Sequence, residues 1–131
     1  MHSKKLSSIA QLTSEERCGY FIRKVADFEV LWGLDGRSGW ASSEIGGEIV
    51  MPVWPEEDFA AMCATNNWDA LSPKKIELSD FLDKWISNKL NQYQYFGVFP
   101  VDGSDPIGVR SKVVKPSELE KMLLQELDQY K

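Results

Sequence analysis

The sequence predicts an α+β domain in which about four helices pack with a mainly antiparallel sheet of about five to six strands. Three observations lead there. Segments with apolar residues at three- and four-residue steps each begin at a cap residue or a proline. Between them lie short aromatic and β-branched runs divided by glycine-rich turns, which is hairpin spacing. The chain has neither a dinucleotide-binding nor a phosphate-loop glycine pattern, and no internal repeat, so a doubly wound sheet or a solenoid is not indicated.

With 131 residues, 43% hydrophobic and 27% charged, the composition suits one soluble domain with a core that needs no disulfide or metal. Residues 1–12 are expected to form a flexible N-terminal arm and residues 13–131 the folded domain.

The first helix is announced by "LTSEERCGYFIRKVADF", where Thr13 and Glu16 have capping-box spacing and Cys18, Phe21, Ile22 and Val25 share a face. A hairpin follows in "EVLWGLDGRSGWA". Val30, Trp32 and Leu34 alternate inward, Gly36 and Gly39 supply positive-φ positions, and Trp32 meets Trp40 across the strands. "EIGGE" is a second turn. It leads into "EIVMPVW", apolar on both faces, whose Pro52 pushes the far end of the strand toward a sheet edge. Pro55 opens a short helix that buries Phe59, Met62 and Cys63 and stops near Asn66 and Asn67. "KKIEL" is a brief extended segment, and Ser79 caps a helix with Phe81, Leu82, Trp85, Ile86 and Leu90 on its apolar stripe. "YQYFGVFPV" is the clearest strand and belongs inside the sheet. "IGVRSKVV" pairs with it, with Ile107, Val109 and Val113 inward and Arg110 and Lys112 outward. Pro116 begins the last helix, which buries Leu119, Met122, Leu123 and Leu127.

Four blocks, "EVLWGLDGRSGWA", "MPVWPEEDFAAMCA", "IELSDFLDKWI" and "FGVFPV", occur in an order and at separations that resemble the uncharacterised bacterial family "domain of unknown function 2750". The resemblance covers roughly Glu15 to Leu119. It implies a small bacterial cytosolic protein and carries over no catalytic residue, cofactor or substrate.

The chemistry-bearing residues are sparse. His2 is the single histidine and falls in the expected arm, which leaves no histidine triad, zinc pair or histidine general base. Cys18 and Cys63 lie far apart and fit small buried apolar groups in a cytoplasmic protein. Glu56, Glu57 and Asp58 are consecutive at a helix start, where the dipole favours acids, so a metal site is not expected there. No cofactor is indicated. A net charge of -5 opposes phosphate neutralisation, so no nucleic-acid partner is expected. No apolar run approaches the ~20 residues of a membrane span.

What remains is aromatic. Trp40, Trp54 and Trp68 stand beside turns or element ends, where a ring is hard to enclose, whereas Trp32 and Trp85 stand at inward positions. The expected function is a non-enzymatic protein-interaction module, an adaptor or a neutraliser of another protein. Its binding surface would centre on Trp40 and Trp54 with an acidic rim of Glu44, Glu56 and Glu57. The alternative is a small ligand-binding domain or enzyme with a pocket of Trp40, Trp54 and Tyr95 and Glu57 as general base.

Overall fold

A computed structural model of the chain describes residues 7–9, 11–37, 39–65, 68–86, 93–101 and 111–129. His2, Asn66, Asn67, Leu90, Ile107, Val109 and Arg110 therefore lie outside the described residues.

Thr13 caps the first helix, α1 (Ser14–Phe28), as its spacing predicts. Its hydroxyl accepts the Glu16 N–H at 3.1 Å and the Glu16 carboxylate accepts the Thr13 N–H at 2.9 Å. The face of Cys18, Phe21, Ile22 and Val25 is buried, together with Arg17, and the helix stops where Glu29 turns left-handed. Ahead of it, residues 7–9 are helical, Ile9 packs against the core, and the Leu12 carbonyl accepts from Arg17.

Strand β1 (Val30–Gly36) pairs antiparallel with β2 (Gly39–Trp40) on one side and with β5 (Ser72–Glu77) on the other. A second sheet has the order β3 (Ser43–Ile45), β4 (Glu48–Val53), β6 (Tyr95–Val98) and β7 (Lys112–Val114). In it β4 and β6 run parallel. The expected single, mainly antiparallel sheet is thus replaced by sheets of three and four strands. The reason lies between β4 and β6, where α2 (Glu57–Met62), β5 and α3 (Leu78–Asp80) with its π-helical continuation Phe81–Ile86 form a connection long enough to carry the chain back. Among the described residues one bridge joins the sheets: Trp32 and Trp54 exchange both backbone hydrogen bonds at 2.8 Å.

The "EIGGE" turn forms as expected, with Gly46 and Gly47 both at positive φ between β3 and β4. β3 accompanies β4 only from Glu48 to Val50, so Pro52, without an N–H, stands past the end of that ladder. The first hairpin differs in detail. Trp40 lies opposite Asp35 rather than Trp32, and of its glycines Gly39 has the positive φ. At Gly36 a Cβ would stand 2.4 Å from Leu71 Cδ2, so a side chain there would require Leu71 to turn aside.

Several inward assignments shift by one residue, which in a strand turns a side chain to the other face. In β1 the wholly buried side chains are Leu31 and Leu34, while Trp32 is half-buried; in β7 Val114 is buried and Val113 exposed. Helix α2 begins after Glu56 rather than at Pro55, and its Met62 points out. α3 begins at Leu78, so Ser79 is not its cap. The last helix, α4 (Pro116–Asp128), starts at the proline as predicted and buries Leu119 and Leu123. The core between helices and sheets is led by Trp54, Phe21, Phe59, Phe81, Phe96 and Phe99, and β4 is enclosed on both faces.

Candidate functional site

The structure separates the two tryptophans that the sequence placed together. Trp54 is 0% exposed, which corrects its expected role on the surface. It follows the last residue of β4, and its bridge to Trp32 draws it between the sheets. There its indole Nε1–H donates to the Pro100 carbonyl at 2.8 Å, the Cys63 thiol donates to the same oxygen at 3.3 Å, and Trp68 meets the ring edge-on. Both Trp68 and Cys63 are buried as well. Phe99, just before Pro100, is left-handed at φ 60° and gives its own carbonyl to Arg17 Nε at 3.0 Å. A buried turn with non-helical carbonyls needs side-chain donors, and Arg17, Trp54 and Cys63 supply them.

Glu56 sits just beyond the carboxyl end of β4, the strand that runs parallel to β6. Its Oε1 accepts the Tyr20 hydroxyl at 3.1 Å and lies 3.7 Å from Lys24 Nζ. Burial, then the charge of Glu56 and the hydrogen bond to it, push the Tyr20 phenol above its ordinary range. Tyr20 is therefore held protonated, a donor rather than a base. Together these residues clasp α1 to the start of α2. Glu57, the first residue of α2, is exposed, and Glu44 is exposed on β3 opposite Ile49. Tyr95 lines an open groove of about 530 Å³ with Glu48, Ile86, Lys115, Ser117 and Glu120, away from the enclosed Trp54.

Trp40 has different company. A Cβ on Gly33 would stand 2.9 Å from Trp40 Cε3 and Cζ3, so the missing side chain is what lets the indole lie against β1. Trp85 meets Trp40 edge to face, with centroids 5.2 Å apart and planes at 73°, and in turn stacks on Tyr93 at 6.2 Å. Lys74 Nζ lies 5.5 Å from the Trp40 centroid and 3.3 Å from the Asp35 carboxylate. Trp40 and Trp85 are both half-buried against the core. Trp32 and Trp85, expected inside, are thus partly at the surface, and Trp54, expected at the surface, is inside beside Trp68.

Of the sequence candidates, only Trp40 stands in this cluster; Trp85, Lys74 and Asp35 were missed. Trp85 had a readable stripe, but a π-helical turn advances by more residues than an α-helical one and swings the ring off that stripe. The signal for Asp35 and Lys74 lies in cross-strand register, which a single segment does not carry.

Among the described residues no group of three or more histidines, cysteines and carboxylates is placed to hold a metal. Among them no helix is long and apolar enough to cross a membrane. No curated protein matches the chain. Residues 18–123, which hold both the Trp54 core turn and the Trp40 surface, match the family described as protein of unknown function (DUF2750), and the chain belongs to that family.

Proposed function

We propose that this protein is a non-enzymatic protein-interaction module of the bacterial cytoplasm, an adaptor or a neutraliser of a partner, and that its binding surface centres on Trp40 and Trp85. The observation that carries this reading is the pair itself: two half-buried indoles held edge to face outside the core, one fixed on a strand and one on a helix. Rigid aromatic rings with part of their surface in water are the side chains that dominate binding energies. A net charge of -5 favours a basic partner. Glu44 and Glu57 remain exposed acids, whereas Glu56 serves the clasp with Tyr20 and Lys24.

Affinity capture from the native host, with wild-type, Trp40→Ala and Trp85→Ala chains, tests it. A stoichiometric protein held by the wild type should lose at least about 2 kcal/mol of affinity for either variant, measured on the folded fraction. Equal capture by all three chains refutes the surface. A small molecule that co-purifies instead moves the function to the groove beside Tyr95.

A further inference from the structure

The receptor half of a cation site is built into the first hairpin. Gly33 and Asp35 point to one face of β1, Trp40 lies directly opposite Asp35, and Lys74 lies directly opposite Gly33 on β5. The four positions therefore share one sheet face. The indole rests on Gly33 and meets Trp85 edge to face. The Asp35 side chain is only 24% exposed, and its carboxylate accepts from Lys74 on the same face. What occupies the site is the chain's own Lys74, whose ammonium reaches both the ring and the carboxylate while its side chain stays 61% exposed.

We infer that Trp40 and Asp35 form a binding site for an arginine side chain of a partner protein, and that Lys74 is a displaceable occupant which keeps the site closed to weak competitors. The inference rests on the interaction reading above and names the partner's chemistry. Tryptophan is the best ring for a cation, and a carboxylate beside it selects a group that can do two things at once. A guanidinium stacks flat on an indole and donates two parallel hydrogen bonds to a carboxylate; an ammonium does neither. An exposed lysine on a flexible stem gains little from its ion pair, so its departure is not costly. The net charge of -5 attracts an arginine-bearing segment at long range.

Lys75 provides the control. It faces the other way, opposite Trp32, and pairs with Glu77 at 3.3 Å, so its removal changes the net charge by the same amount without opening the site. The full-length ¹⁵N-labelled chain is titrated with a tetra-arginine peptide while the Trp40 indole resonance is followed. Lys74→Ala should bind at least about fivefold more tightly than wild type, and Lys75→Ala should not bind more tightly. Asp35→Asn on the Lys74→Ala background should remove the gain, and a tetra-lysine peptide should show less of it.

An equal gain from Lys74→Ala and Lys75→Ala, or a Trp40 indole that does not respond, overturns the proposal. A chain that captures a partner through Trp40 yet ignores tetra-arginine also overturns it, and leaves the interaction reading standing. Tetra-arginine binding at Trp40 without any Trp40-dependent partner supports the arginine site and sinks the interaction reading.

Discussion

The Pro100 carbonyl offers a measurement in which two deletions cost more together than apart. Trp54→Phe removes the indole N–H from that oxygen, and Cys63→Ala removes the thiol, but each single variant leaves the other donor in place. For Trp54→Phe in a site with 0% exposure, the roughly 40 Å³ lost from the indole costs about 1 kcal/mol at ~24 cal/mol per Å³. The lost hydrogen bond adds about 1 kcal/mol. Cys63→Ala deletes one buried sulfur and should cost about 1 kcal/mol. The double variant orphans a buried carbonyl, which adds about 1–2 kcal/mol beyond the sum of the singles. Urea denaturation of the four chains, with the urea dependence of the unfolding free energy compared among them, measures each step. Additivity within about 0.3 kcal/mol would show that the two donors do not share one acceptor in solution, and the account of why Trp54 is buried would fail with it.

Gly33→Ala should force the Trp40 ring off β1, because its Cβ has 2.9 Å where ordinary contact needs more. A loss of about 1–3 kcal/mol in chemical denaturation is expected, along with a red shift of tryptophan emission; unchanged stability and spectrum would mean that the ring does not rest there. Tyr20 titrates above its ordinary 10.0 in the folded chain, so the folded state holds its proton where the unfolded state releases it. Stability from this group is complete below pH 10 and falls as pH rises past it. An ultraviolet titration of the native chain should therefore show one tyrosine lagging the others, and Tyr20→Phe should remove that lag; four tyrosines ionising together refute the clasp with Glu56.

Local chemistry was readable wherever it is settled within one segment. Thr13 and Glu16 announce α1, Pro116 announces α4, and Gly46 and Gly47 announce the turn before β4, because each device acts over a few residues. Strand neighbours were not readable in the same way. The parallel register of Val50 with Tyr95 depends on the path of everything between them, and the burial of Trp54 depends on a carbonyl at Pro100. A tryptophan beside a turn is poised between core and surface, and distant partners decide which. Trp54 finds acceptors and sheets around it, whereas Trp40 finds a glycine on one side and a lysine over its ring. The family resemblance was legible because it rests on blocks of residues, and those blocks include both the Trp40 hairpin and the Phe99–Pro100 turn.

The parallel pairing of β4 with β6 has a consequence for the birth of the molecule. β4 emerges from a ribosome with β3 on one flank and nothing on the other, and the partner that will fill the vacant flank is still to be made. The roughly forty residues between the two strands take several seconds to synthesise at ~5–20 residues per second. Throughout that interval Val50, Met51 and Val53, all enclosed in the finished protein, stand along a bare strand. The period of greatest exposure to mispairing thus comes before β6 joins β4. Substitutions that weaken Tyr95–Val98 prolong it, and lower the yield of nascent chain that reaches the folded state by more than their effect on the finished fold would indicate.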